Sequence, residues 1–148
     1  MQDDFRNMYG RYRRAAGLTQ ERAAELLDCS VRTLANWETG VNVPPDDKVV
    51  LMCDVYQSPT LAIEHLRAST ILARTILPVV TQVSLPQAVC TLLSRVQQFA
   101  SRHRTDDLLQ IAEDGRIDQL ERDNFEDIIV ELEGIIQAAL ALRYAQEG

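Results

Sequence analysis

Residues 18–45, LTQERAAELLDCSVRTLANWETGVNVPP, constrain the fold of this chain more than any other stretch. Thr19 is an N-cap residue type, and Gln20 and Glu21 open the first turn of a helix, where a carboxylate complements the helix dipole. Ala23, Ala24 and Leu27 share one face at helical spacing, and Ala24 stands where two helices cross closely. Asp28-Cys29-Ser30 follows. Asp28 takes a tight-turn position with a left-handed backbone, which Asp tolerates better than most residues. Ser30 caps a second helix whose buried face is Leu34 and Trp37, and Gly40 ends it. Val31, Arg32, Ala35 and Asn36 are left facing outward. The pattern predicts two short helices locked across a three-residue turn, the second with a small, mixed-polar face suited to a DNA major groove.

G-L-T-Q at Gly17 to Gln20, W-E-T-G at Trp37 to Gly40 and the following Pro45 add further punctuation. With these, residues from about 5 to 58 resemble the phage repressor and Cro-like (XRE-type) helix-turn-helix family. The resemblance implies an all-α, five-helix bundle with helices near 4–16, 20–27, 31–39 and 46–56 and a fifth from near Ser58. It implies base reading by Val31, Arg32 and Asn36, and contacts to the DNA backbone by Gln20, Ser30 and Thr33. It also implies a structural salt bridge between Arg13 and Glu38. The chemistry agrees: Arg reads guanine through a two-pronged hydrogen bond, Asn reads adenine similarly, and Val can touch a thymine methyl. Arg11, Arg14 and Arg22 are the remaining phosphate-contact candidates.

One departure matters. The segment 41–47, where the family often carries Lys or Arg, here reads VNVPPDD. Across residues 1–58 seven basic residues stand against nine acidic ones, a net of −2. Phosphate neutralisation supplies most non-specific DNA affinity. Monomer binding is therefore expected to be weak and to depend on dimerisation and low salt.

The whole chain carries a net charge of −7, with 46% hydrophobic and 25% charged residues, which suits a water-soluble globular protein with no general attraction to nucleic acid or anionic membrane. Cys29, Cys53 and Cys90 are odd in number and far apart, and read as reduced, mostly buried thiols. No leading apolar signal and no run near the roughly 18 apolar residues of a membrane span is seen, so a cytoplasmic location and no membrane partner are expected.

Pro59 opens a further helix expected to run to about Ile76, with Leu61, Ile63, Leu66, Ile71, Leu72 and Ile76 supplying a packing face. The domain reading is 1–76 for the helix-turn-helix domain with its trailing helix, 77–86 (LPVVTQVSLP) for a linker, and 87–148 for a C-terminal helical oligomerisation or effector module. In that module the periodicity predicts helices over 87–103, 105–113 and 118–145, with Leu120 counted on the apolar stripe of the last. Residues 59–148 carry a net charge of −5, which argues against a second DNA reader. Asp114-Gly115-Arg116-Ile117-Asp118 resembles the back half of a calcium loop, but the first and third ligand positions are Gln110 and Ala112, so it is read as a corner with Asp118 as cap. Glu64–His65 and Arg102–His103–Arg104 are read as surface features.

No cofactor, metal or enzymatic activity is expected, because no phosphate loop, ligand cluster or nucleophile–base pair occurs. The function implied is a repressor-like, sequence-specific regulator that binds operator DNA as a homodimer through its C-terminal helices, with another regulatory protein as a further partner. The competing reading keeps the fold but makes it an acidic adaptor for a protein, of anti-repressor or antitoxin type.

Overall fold

The structure, a computed structural model, describes residues 7–145 of the 148. Its regular elements are helices: α1 (Met8–Ala15), α2 (Gln20–Leu26), α3 (Val31–Glu38), α4 (Asp46–Val55), α5 (Thr60–Ser69), α6 (Ile71–Ile76), α7 (Leu85–Ser101), α8 (Arg104–Ile111) and α9 (Arg122–Arg143). The chain is all-α and divides into two compact units, residues 1–80 and 81–148.

In the first unit the helix ends fall where local chemistry dictates. Thr19 Oγ1 accepts the Arg22 backbone N–H at 3.2 Å, and Ser30 Oγ accepts that of Thr33 at 3.0 Å, so α2 and α3 each start on a side-chain cap. Asp28 turns the chain between them with a left-handed φ of 49°. Gly40 closes α3 at φ 75°, and the next amide, Val41 N–H, reaches back to the Asn36 carbonyl at 2.9 Å. Tyr9, Leu27, Leu34, Met52 and Leu61 are fully buried, and Ala24 keeps the helix crossing close.

Several expectations need correction here. The expected start of the first helix at Asp4 lies outside the described residues. The helix that is described begins only at Met8, because Asn7 adopts a left-handed φ of 65° while its N–H binds the Glu38 carbonyl at 2.8 Å. The long helix expected to reach Ile76 is two helices. Thr70 is extended (φ −143°, ψ 147°) and its hydroxyl caps α6 by accepting Ala73 N–H at 2.9 Å. Leu61 and Ile63 are buried as expected, but Leu66, Ile71, Leu72 and Ile76 are exposed. The cysteines are free thiols, Cys29 and Cys53 half-buried and Cys90 exposed, so the expectation of burial fails.

In the second unit α7 and α9 run along each other with α8 packed on both. α7 starts at Leu85, because Pro86 fits its first turn, where a missing N–H costs nothing. α9 starts at Arg122, later than expected. Ahead of it Asp118 Oδ1 accepts the N–H groups of Leu120 and Glu121 at 2.7 and 2.9 Å, while Glu121 Oε2 accepts Asp118 N–H at 3.2 Å. This closed turn leaves Leu120 outside the helix and 92% exposed, not on its stripe. Gly115 makes the corner at φ 71°. Arg102 and Arg104 do not form a basic surface patch: both donate to Glu131 Oε1, at 2.9 Å from the Arg102 Nη1 and the Arg104 Nη2, and the Arg104 bond holds the Glu131 carboxyl below the usual carboxylate range. Among the described residues of this unit only Ala88, Ile111, Ile128 and Ala138 are buried. Leu85, Val89, Leu93 and Val96 line an exposed stripe on α7.

No helix among the described residues is long and apolar enough to cross a membrane.

Candidate nucleic-acid interface

α3 divides by burial into two faces. Leu34, Trp37 and Glu38 point inward, and Arg32 is exposed on the opposite side, with Ala35 and Asn36 partly exposed beside it. Val31 is exposed at the N-terminal edge of that outer face, and Thr33 lies on its other flank. Among the described residues the side chains of Arg32 and Asn36 have no hydrogen-bond or ion-pair partner within the protein.

What holds α3 from behind is a network centred on the buried Glu38. Arg13 Nε donates to Glu38 Oε1 at 2.5 Å and Arg13 Nη2 to Oε2 at 3.1 Å, while Arg13 Nη1 donates to the Leu18 carbonyl at 2.7 Å. Gln20 Nε2 also donates to Glu38 Oε2, at 2.8 Å. One carboxylate at the end of α3 thus ties down α1, the turn after it and the first residue of α2. The Glu38 hydrogen bond raises the Arg13 guanidinium pKa further above its ordinary value, so Arg13 keeps its charge at every relevant pH. Its approach needs Gly10, where a Cβ would stand 3.1 Å from Glu38 Oε2.

The backbone-contact candidates sit around this helix in different states. Ser30 Oγ is engaged at the α3 cap and lies 2.8 Å from Thr33 Oγ1. The Gln20 amide is turned to Glu38. Arg22 pairs with Glu25 at 2.6 Å on the surface of α2, and Arg11 pairs with Glu64 of α5. Arg14 is exposed and has no ion-pair partner among the described residues.

Residues 10–66, from within α1 to within α5, match the family model described as a helix-turn-helix domain. This segment is a helix-turn-helix domain. No curated protein and no solved structure matches the chain. Residues 67–148 lie outside the matched segment.

Several residues of the helix-turn-helix domain escaped the sequence reading. Lys48 Nζ donates to the Leu27 carbonyl at 2.7 Å and the Asp28 carbonyl at 3.3 Å, so its charge caps the C-terminus of α2. Glu64 accepts from Tyr12 Oη at 2.9 Å as well as from Arg11, joining α5 to α1. His65, expected at the surface, is 4% exposed. Its Nδ1 lies 2.8 Å from Tyr9 Oη, and its Nε2 faces Asp46 Oδ1 at 3.4 Å. Burial pushes the imidazole pKa below its ordinary value, and the Asp46 carboxylate opposes that shift. The only local sign of this role was the apolar neighbourhood of Leu61 and Ile63, four and two residues before it.

Proposed function

We propose that the chain is a sequence-specific, repressor-like transcriptional regulator that inserts α3 into the major groove of an operator. The observation that carries this reading is the outer face of α3: among the described residues the side chains of Arg32 and Asn36 have no partner, on a helix braced by Glu38. A guanidinium and a carboxamide left in this state are the two side chains best suited to bidentate readout of guanine and adenine. Val31, at the groove-entering end, supplies apolar contact for a thymine methyl. Ser30, Thr33 and Gln20 flank the phosphate track, Gln20 being oriented by Glu38. Arg14 is the phosphate contact ready without rearrangement. Arg11 and Arg22 must exchange exposed carboxylates for phosphates, a swap that costs little because surface ion pairs contribute only about 0–1 kcal/mol.

The exposed stripe Leu85, Val89, Leu93 and Val96 on α7, spaced by four, four and three residues, supports a homodimer through the C-terminal helices. A two-fold dimer reads an inverted repeat with half-sites about 10 bp apart or a multiple of that. The test is selection from a random double-stranded pool at low salt, beside an Arg32→Ala, Asn36→Ala double variant. Enrichment of an inverted repeat by the wild type alone supports the reading.

The net charge of −2 over residues 1–58, together with the engagement of Arg11 and Arg22 by carboxylates, favours a second reading. In it the same surface binds a protein, as an anti-repressor or antitoxin does. Failure to enrich any DNA by folded wild-type protein would make that reading the leading one.

A further inference from the structure

The C-terminal unit contains a cavity of about 170 Å³ between α7, α9 and the segment that enters α7. It is smaller than the roughly 300–1,000 Å³ sites that enclose drug-sized molecules. Val83, Ala88 and Ala138 form its apolar walls, and Ala88 and Ala138 are buried residues. Gln87, Gln137 and Arg95 also line it.

Two features of Arg95 bear on its role. Arg102 and Arg104 in this unit are taken by Glu131, yet no carboxylate lies in ion-pair range of Arg95 among the described residues, in a half of net charge −5. The Arg95 side chain also crosses α9 over Gly134, where a Cβ would stand 2.3 Å from Nη1 and 3.3 Å from Cζ. Glycine in a helix interior is unfavourable relative to alanine. Here its missing side chain opens the lane in which the guanidinium lies.

We propose that this cavity binds a small organic carboxylate, with the Arg95 guanidinium as its receptor and the alanine–valine walls around its alkyl body. A planar guanidinium pairs with a carboxylate through two parallel N–H···O bonds. The volume limits the body to roughly four carbon atoms, below the size of a drug-like ligand. The inference is independent of DNA binding, because ligand, residues and readout all belong to the C-terminal unit.

Isobutyrate titrated into the full-length protein, followed by amide shifts in α7 and α9, tests it against isobutyramide, its neutral isostere, at matched ionic strength. The expected result is a saturable shift with isobutyrate at a Kd of about 1 mM and none with isobutyramide. Arg95→Gln should weaken binding at least about tenfold, the loss of one charge-assisted pair. That side chain lies at an exposed position, and circular dichroism checks that the variant folds. Gly134→Ala should weaken binding without removing charge, by displacing the guanidinium. An equal response to isobutyramide, a response unchanged in Arg95→Gln, or no saturable shift up to about 20 mM isobutyrate, a range well above the expected Kd, would overturn the proposal.

Discussion

At the scale of the residue, Glu38 decides how α3 is held. Its carboxylate accepts three hydrogen bonds, two from Arg13 and one from Gln20, at a site where both ionic partners are more than nine-tenths buried. Glu38→Gln keeps the shape but leaves a buried guanidinium without its counter-charge, so unfolding in urea should show a loss of about 3–5 kcal/mol. Replacing both Arg13 and Glu38 by apolar residues of similar size should recover much of that loss. Gly10 gives a sharper test of the same network. In a helix Gly→Ala ordinarily stabilises by roughly 0.5–1 kcal/mol. Here the new Cβ meets a carboxylate that Arg13 and Gln20 prevent from retreating, so Gly10→Ala should destabilise. A gain in stability would show that Glu38 is free to move. His65 gives the pH dependence. Its folded pKa lies below the ordinary 6.5, so the unfolded chain binds the proton more readily. The contribution is fully present above pH 6.5 and is lost as the pH falls from there through the folded value. Asp46→Asn should steepen that acid loss, because it removes the group that favours the protonated ring, while His65→Gln should flatten it; thermal melts between about pH 5 and 7.5 would show either. The Arg13–Glu38 match was legible in the sequence through the family resemblance. The His65 contact was not, because Tyr9 and His65 lie 56 positions apart and no local pattern brings them together.

At the scale of the element, legibility followed the chemistry of the helix ends. The bounds of α2, α3 and α4 fall within one residue of expectation, since Thr19, Ser30, Asp28 and Gly40 mark starts and stops with local hydrogen bonds or a left-handed turn. The break at Thr70 was hidden. Leu66, Ile71 and Leu72 continue a helical apolar rhythm across it, and a threonine inside such a run does not announce that its hydroxyl caps a new helix. The start of α9 was misplaced for the opposite reason: Asp118 is a genuine cap, but of a turn that closes on itself through Glu121 before the helix begins. The α6 cap gives a prediction about local stability. α6 has no buried residue. Thr70→Ala should therefore raise hydrogen exchange of amides 73–76 while global stability stays within about 0.5 kcal/mol, as for a surface substitution. The Ser30 cap lies instead at the entry to the braced helix, and Ser30→Ala should cost about 1 kcal/mol of global stability.

At the scale of the whole molecule, the C-terminal unit has too little interior for its apolar content. Among the described residues, four buried positions, two of them alanines, serve helices of 17, 8 and 22 residues, while Leu93 and Val96 stand 61% and 46% exposed on α7 and Ile136 stands 53% exposed on α9. Scattered single exposures need no cover, but a stripe that repeats every three or four residues along one helix marks a surface meant to pack. In the proposed regulator a second copy supplies the cover, and pairing also offsets the charge deficit of each reading unit by doubling its phosphate contacts. The two effects separate experimentally. Leu93→Glu places a charge in the middle of the stripe, so sedimentation at about 10 μM should change from dimer to monomer with helicity preserved, as expected for a substitution on an exposed face. Operator affinity should fall together with the dimer. The slope of log affinity against log salt should shrink toward half, because each phosphate neutralised contributes about 0.9 to that slope and the monomer engages one half-site. A wild-type chain that sediments as a monomer at that concentration would remove the basis for an inverted-repeat operator, leaving α3 to read a single site.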